Sequence, residues 1–256
     1  MIPVLALIIL PVVAPWLAPH PPNETHPGLV AVGPTREFPL GTDALGRCVL
    51  SRVLYGTRIS SMIGMAVTTI AGVFGSAAGL TSGMFGGWIA GIIEFATDVF
   101  LALPSLILAL SANAVFGAGT PGLILALAAT GWMRYTRVVR GVVLSTRSAE
   151  FVEAAIAAGA GPAYIARRHL LPHSLPAVFA LAPLGAANAI LNASALTFLG
   201  LGVPPPTAEW GSMLSLARPY MRVAPHLVIV PGLALTLLVA ALHWTIKANA
   251  SSRAEH

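Results

Sequence analysis

The chain has 256 residues, of which 56% are hydrophobic and only 9% are charged, and its mean hydropathy is +0.82. Soluble domains carry about 25% charged residues, so this chain has too few charges to cover a water-facing surface, and lipid is its expected solvent. The formal net charge of +5 fits loop Lys and Arg residues that orient a protein in a membrane. No basic face for nucleic acid is visible, and the single cysteine, Cys48, excludes an internal disulfide.

Hydropathy predicts six membrane-spanning helices and therefore an all-α polytopic membrane protein. The predicted spans are about residues 1–18, 60–84, 88–114, 120–140, 174–198 and 225–247. The first run has no basic lead and no clear cleavage site, so we expect a first span rather than a removable signal peptide. Because this run starts at residue 1, either the true start lies upstream or the span is short and shielded by its neighbours.

Two segments between the predicted spans are rich in Pro, Gly and polar residues. Residues 19–59 finish in a predicted amphipathic helix from Leu45 to Ile59, and residues 199–224 contain three consecutive prolines, Pro204 to Pro206. Unpaired backbone groups are costly in lipid, so neither segment suits exposure to the hydrocarbon region. We expect both to form outer loops.

The remaining core, residues 60–247, contains one densely charged loop at residues 141–173. Arginines cluster from Arg134 to Arg168, and loops rich in Lys and Arg stay on the cytoplasmic side of a membrane. The sequence therefore predicts an inner loop at this position, and it places the tail at residues 248–256 on the same side.

The inner loop is predicted to contain two short helices. Ser148 is the expected N-cap of the first helix and Gly159 its expected C′ residue; the second helix is expected to begin at Pro162 and to end at Pro172. Apolar residues of the first helix form one stripe, made by Phe151, Val152, Ala155 and Ile156. A groove on a soluble protein or the lipid headgroups would cover such a stripe equally well.

Four segments of the chain resemble one family. The loop pattern of Glu-Ala-Ala, three residues, Gly and a closing Leu-Pro resembles the cytoplasmic loop of ABC importer permeases, and the closing RRHLLP resembles their dipeptide, oligopeptide and nickel branch. Phe38 to Ser60 is similar to that branch's first outer loop, Asp98 to Leu110 to its third span, and Phe198 to Leu214 to its last outer loop. The resemblance covers roughly residues 38–240, and Cys48 departs from it, because relatives usually carry Asp there.

This resemblance implies a type I ABC importer permease, which is a transport subunit and not an enzyme. It implies that one group of residues couples the permease to a separate ATPase. The group consists of Glu153, Ala154, Ala155, Gly159, Leu171 and Pro172. The implied cellular location is a bacterial cytoplasmic (inner) membrane, which the chain would cross several times.

The resemblance also implies the partners and the cargo. The expected partners are a second homologous permease subunit, two ATPase subunits, an extracytoplasmic substrate-binding protein and the lipid bilayer. ATP and magnesium would bind the ATPase, so this chain is expected to carry no cofactor of its own. The cargo would be di- or oligopeptides, with nickel or another metal chelate as the alternative.

Four polar residues within predicted spans are candidates for lining the pathway. Glu94 and Asp98 lie one turn apart toward the expected N-terminus of the third span, where the helix dipole favours carboxylates. Their role is either structural, at a helix or membrane interface, or the binding of a cation or a peptide amine. Asn188 and Asn192 share one face of the fifth span. They either form interhelical hydrogen bonds or line the pathway.

A row of small residues crosses the second predicted span. Its members are Ala71, Gly75, Gly79, Gly83 and Gly87. Small residues four apart let helix backbones approach closely, so this row predicts helix packing, with a sliding contact during gating as the alternative.

Other functions find little support among the residues. His169 and His173 are four apart, but Pro172 interrupts their shared face and no metal-binding motif accompanies them. The chain has neither a phosphate-binding Gly-Lys loop nor a nucleophile elbow. A membrane-embedded hydrolase or metalloenzyme would need convergent titratable residues, and a passive channel would not need the inner loop.

Overall fold

The computed structural model describes residues 13–14 and 16–254, with side chains described as far as residue 244. The described residues form helices and no β-strand apart from one isolated bridge between Thr42 and Cys48. Most of the predicted first span, residues 1–18, lies outside the described residues.

Ten α-helices follow one another in the described part of the chain. They are α1 Val49–Phe85, α2 Gly87–Ala102, α3 Ser105–Phe116, α4 Thr120–Ala129, α5 Met133–Arg147, α6 Glu150–Ala157, α7 Pro162–Ile165, α8 Leu171–Phe198, α9 Trp210–Ala217 and α10 His226–Ala254. Three continuous helical stretches are long and apolar enough to cross a membrane: Val49–Phe85, Pro162–Phe198 and His226–Trp244. The bent pair α2 and α3 makes a fourth if it is one span.

The first of these stretches merges two elements that the sequence analysis separated. The predicted amphipathic helix from Leu45 to Ile59 and the span at 60–84 are one helix of 37 residues that begins at Val49. At ~1.5 Å per residue this helix is about 55 Å long, whereas the hydrocarbon core of a bilayer is about 30 Å thick. This helix is therefore longer than one straight crossing of the hydrocarbon requires.

Two predicted spans are broken instead of straight. The helix predicted at 88–114 bends by 107° between α2 and α3, because Leu103 adopts the extended backbone that a following proline, Pro104, favours. The helix predicted at 120–140 stops at Ala129 and resumes at Met133, and α5 then continues to Arg147, beyond the predicted boundary.

Pro172 does not end a short helix as predicted. Helical backbone continues from Pro162 to Phe198, with a π-helical turn at Ala166–Leu170 between α7 and α8. A proline at this position cannot donate a backbone hydrogen bond to the preceding turn, and a widened π turn is a common way for a helix to absorb such a local irregularity. The predicted start at Pro162 is confirmed.

The row of small residues on α1 packs against α5, as the sequence predicts. A Cβ atom added to Gly79 would lie 2.6 Å from the Thr136 carbonyl oxygen, and one added to Gly83 would lie 2.6 Å from Cγ1 of Val143. The Thr136 hydroxyl also donates to the Gly75 carbonyl at 3.1 Å. Gly87 is not part of this contact, because it begins α2 with a φ of +55°.

A polar network joins the two outer segments into one cap over the helices. Arg52 is 1% exposed and donates to the Pro22 carbonyl and the Asn23 side chain, each at 3.1 Å. From the later segment, the Trp210 indole N–H donates to the Val53 carbonyl at 3.1 Å. The start of α1 is therefore held by residues from both outer segments.

Candidate functional site

The helix predicted to contact an ATPase is α6, which covers eight residues. Its N-cap is Ala149, whose backbone is extended and which offers no side-chain cap. The predicted N-cap, Ser148, instead follows α5, and its hydroxyl donates back to the Ser145 carbonyl at 3.2 Å. Glu150 and Glu153 lie in the first turn of α6, where the positive end of the helix dipole stabilises carboxylates.

The C-terminus of α6 is closed by the predicted glycine. Gly159 has a φ of +85°, a backbone conformation that glycine adopts without the steric cost of a Cβ atom. Its N–H donates to the Ile156 carbonyl at 2.9 Å, and the Ala160 N–H donates to the Ala155 carbonyl at 3.0 Å. This pair of bonds is a Schellman motif, which confirms Gly159 as the C′ residue.

The apolar residues of α6 do not form the single unburied stripe that the sequence predicts. Val152 is fully buried and packs with Val139 and Val143 of α5 and with Leu170. Phe151 is 45% exposed and Ile156 is 50% exposed. One side chain thus anchors α6 to the helix bundle, while two large apolar side chains remain available for a contact.

The other predicted coupling residues lie around this anchored helix. Glu153, Ala154 and Gly159 are exposed and Ala155 is half-buried. At the beginning of α8, Pro172 is exposed and Leu171 is half-buried.

The two histidines near the beginning of α8 contact α6 through an aromatic ring. The Phe151 ring lies 5.4 Å from the His173 ring and 5.6 Å from the His169 ring, measured between centroids. No group of three His, Cys, Asp or Glu side chains that could hold a metal ion occurs among the described residues. The ring contacts of Phe151 with the two histidines connect α6 with the beginning of α8.

Glu94 and Asp98 form ion pairs between α2 and α5. Glu94 lies 2.5 Å from Arg140, and Asp98 lies 2.5 Å from Arg137. Both carboxylates are beyond the first turn of α2, which begins at Gly87, so the predicted stabilisation by the helix dipole does not apply. Neither residue lines the cavity described next.

A cavity of about 200 Å³ lies where α2, α3, α4 and α5 meet α1 and α8, and Asn188 and Asn192 both line it. The Asn188 amide donates to the Leu184 carbonyl of its own helix at 2.9 Å instead of making the predicted interhelical bond. The structure thus brings two of the four polar candidates to one cavity, together with Arg134 and Tyr135, which the sequence analysis did not assign to a site.

Sequence reasoning also missed Glu209, a buried carboxylate in the outer cap. It is 1% exposed and caps α9, where its Oε2 accepts from the Ser212 N–H at 2.9 Å. Its Oε1 accepts from the Ser194 hydroxyl of α8 at 2.9 Å. Burial raises the pKa of this carboxyl, although the hydrogen bonds from Gly211, Ser212 and Ser194 oppose the rise. A single acid in a loop carries no sequence pattern that marks it as buried.

Replacing Glu209 with glutamine should remove a pH dependence of cap stability. A carboxyl with a raised pKa binds more protons in the folded state than in the unfolded state. Its contribution to stability is therefore greatest below the ordinary pKa of 4.5 and declines as the pH rises through the raised pKa. Thermal unfolding of wild type and Glu209→Gln across acidic to neutral pH measures this difference; identical pH profiles would contradict it.

The sequence matches one family along most of its length. A family profile described as "binding-protein-dependent transport system inner membrane component" matches residues 72–251. The chain belongs to this family. It is therefore a permease subunit of a transport system and not an enzyme, and membership implies ATPase and binding-protein components as partners.

Several named permeases are similar to this chain over nearly its whole length. The dipeptide transport system permease protein DppC of Alkalihalophilus pseudofirmus is 38% identical and is aligned over 91% of this chain and 77% of its own. A di/tripeptide permease of Pseudomonas aeruginosa is also 38% identical, and the alignment covers 93% of this chain and 81% of that permease. The glutathione permease GsiD of Pectobacterium atrosepticum is 36% identical, and the alignment covers 94% of this chain and 80% of that permease.

The fold of the permease is similar to that of a solved transporter. A chain of the MetNI methionine ABC transporter, determined in inward-facing conformations, superposes with a TM-score of 0.58, covering 77% of this chain and 95% of that one. The two are 18% identical, so this similarity shows the fold alone. The family match and the apolar helices make this chain a multi-pass membrane protein, and its fold is the one seen in this ABC transporter.

Proposed function

We propose that this permease imports di- or oligopeptides across a bacterial cytoplasmic membrane. The observation that carries the proposal is the identity of 38% over more than nine-tenths of the chain to permeases named for dipeptides and for di- and tripeptides. Nickel or another metal chelate is the alternative cargo. It is less favoured, because the similar permeases are named for peptides and for the peptide glutathione.

The proposed architecture has six membrane spans. The long helices supply three, α2 with α3 supplies one as a bent span, α4 with α5 supplies one, and residues 1–18 supply the sixth. A second homologous permease subunit completes the pathway, and the cavity beside Asn188 and Asn192 faces it. The outer cap receives an extracytoplasmic substrate-binding protein.

Two ATPase subunits, which bind ATP and magnesium, drive the cycle through α6. Docking uses Glu153, Ala154, Ala155 and Gly159 with the exposed Phe151 and Ile156, in the way that an amphipathic helix fills an apolar groove. Val152 is packed against α5 and beside Leu170, so a displacement of α6 is transmitted to α5, which precedes it, and to the helical stretch Pro162–Phe198, which follows it. This coupling changes the bundle between inward-open and outward-open states.

Uptake by the complete transporter tests this function. The permease, its cognate second permease, both ATPase subunits and the binding protein are reconstituted in proteoliposomes, and radiolabelled dialanine, glutathione and a nickel chelate are offered in parallel. We expect ATP-dependent accumulation of the peptides. Accumulation of the chelate with no peptide uptake would assign the alternative cargo, and uptake independent of ATP would exclude the importer mechanism.

A further inference from the structure

Three arginines of α5, Arg134, Arg137 and Arg140, are spaced three residues apart and form a row that we call the α2–α5 ladder. Two of them pair with a carboxylate of α2 and Arg134 does not. Arg140 pairs with Glu94 and Arg137 pairs with Asp98. Arg134 lies one step further along α5, and α2 has no acidic residue after Asp98 that could pair with it. Arg134 is exposed on the isolated chain, and within the described residues its guanidinium makes no ion pair.

The Arg134 side chain belongs to the wall of the cavity that Asn188 and Asn192 line. Arg134 and Leu101 both line the space of about 200 Å³ that Asn188 and Asn192 also border. Typical small-molecule sites have volumes of ~300–1,000 Å³. A smaller space is what we expect of a half-site that a second permease subunit completes.

Two hydroxyl groups in the same wall also lack a good partner. Tyr135 is 3% exposed, and its hydroxyl makes a poorly aligned contact with the Thr68 hydroxyl, which leaves at least one hydroxyl hydrogen of this pair without an acceptor among the described residues. Gly185 leaves room for this arrangement, since a Cβ atom there would collide with the Tyr135 hydroxyl. A buried polar group without a partner is costly, so these hydroxyls are suited to a polar ligand.

From its position along α1, we place the cavity within the hydrocarbon region of the membrane. Gly72 of α1 is against the Tyr135 ring and is 13 residues from Phe85, the inner end of that helix, which corresponds to ~20 Å at 1.5 Å per residue. A bilayer's hydrocarbon core is about 30 Å thick. A free peptide carboxylate at this depth would need a charged partner, because an unpaired charge is strongly disfavoured away from water.

We propose that Arg134 and the hydroxyls of Tyr135 and Thr68 form an intramembrane subsite for the free α-carboxylate of a peptide in transit. Arginine binds a carboxylate through two parallel hydrogen bonds, and the hydroxyls donate to the same group. The bound carboxylate takes the position of the third acid in the α2–α5 ladder. This inference rests on the proposed peptide import and adds the chemical group by which the pathway recognises its cargo.

Charge rescue at position 134 tests the subsite in the assembled transporter. Arg134→Cys should lower dialanine uptake at least ~10-fold, while ATP hydrolysis stimulated by the binding protein stays within about twofold of wild type. Treatment with aminoethyl methanethiosulfonate restores a cation at this side chain and should recover most of the uptake. Methyl methanethiosulfonate, which adds no charge, should not recover it.

Controls separate this result from side effects. Cys48 is fully buried in this chain, and the wild-type complex treated with each reagent reports on cysteines of the other subunits. Arg134→Lys, which keeps a cation, should retain more uptake than Arg134→Cys. Tyr135→Phe, which removes the hydroxyl alone, should weaken uptake without changing assembly.

The following outcomes would overturn the subsite while leaving peptide import intact. The first is uptake by Arg134→Cys at the wild-type level. The second is a rescue experiment in which the neutral reagent restores as much uptake as the cationic one, or in which the cationic reagent restores none. The third is a loss of ATP hydrolysis in Arg134→Cys that is as large as the loss of uptake. Failure of Arg134→Cys to assemble with the second permease would also overturn it, by assigning the counter-ion to that subunit. If the wild-type complex moves no peptide at all, the proposed function itself is wrong.

Discussion

Replacing Gly79 with leucine should prevent stable packing of α1 on α5 and abolish assembly of the permease. The position leaves no room even for a Cβ atom, which would lie 2.6 Å from the Thr136 carbonyl oxygen. The obstructing atom is backbone and cannot rotate away, so the two helices must separate along the whole row from Gly75 to Gly83. Overpacking costs typically 1–3 kcal/mol, and we expect at least ~3 kcal/mol here, because the change also removes neighbouring helix contacts.

Size-exclusion profiles and thermal unfolding of the purified complex measure this effect. Gly141→Leu is the matched control, because Gly141 lies on α5 and a Cβ atom there meets nothing within 4 Å. The control should assemble normally. If Gly79→Leu assembles as well as wild type but fails to transport, the row serves as a sliding contact during gating instead of as a static packing surface.

Replacing Gly159 with proline should lower both transport and the ATP hydrolysis that drives it, because the end of α6 would lose its shape. Proline fixes φ near −65°, whereas Gly159 has a φ of +85°, and the substitution also removes the N–H that donates to Ile156. The end of α6 must therefore rearrange at a cost of about 3 kcal/mol or more. Because α6 lies outside the long spans, membrane insertion should be unaffected, while uptake and binding-protein-stimulated ATP hydrolysis both fall at least ~10-fold.

Gly161→Pro provides a close control for this change. Gly161 has a φ of −73°, which proline adopts readily, and a Cβ atom at this position meets nothing within 4 Å. The same substitution two residues away should therefore retain coupled uptake. Wild-type uptake by Gly159→Pro, with the protein correctly inserted, would show that the shape of this loop does not matter for coupling.

The features that sequence predicted best depend on local backbone chemistry. Gly159 as a C′ residue and Pro162 as a helix start follow from what each residue permits at one position. The packing of Gly79 on a neighbouring helix follows from spacing alone. These predictions needed no knowledge of the partner element.

The features that sequence missed depend on which helices meet. Hydropathy treats residues 88–114 as one apolar run, and the bend at Pro104 is visible only as a single residue within it. The pairing of Glu94 and Asp98 with arginines requires α2 and α5 to be neighbours, and the burial of Glu209 requires α8 to contact the outer cap. Tertiary contacts of this kind leave no periodic pattern in the chain.

Cross-linking from α6 tests the central claim, that this helix receives the motion of an ATPase. Ala154 is exposed and the native Cys48 is fully buried, so Ala154→Cys introduces an accessible thiol for a short bifunctional cross-linker in membranes that contain the complete transporter. We predict a cross-linked product between the permease and an ATPase subunit, with a yield that changes between nucleotide-free and ATP-bound states. Undiminished ATP-dependent uptake by this variant, with no ATPase cross-link in either state, would contradict the claim.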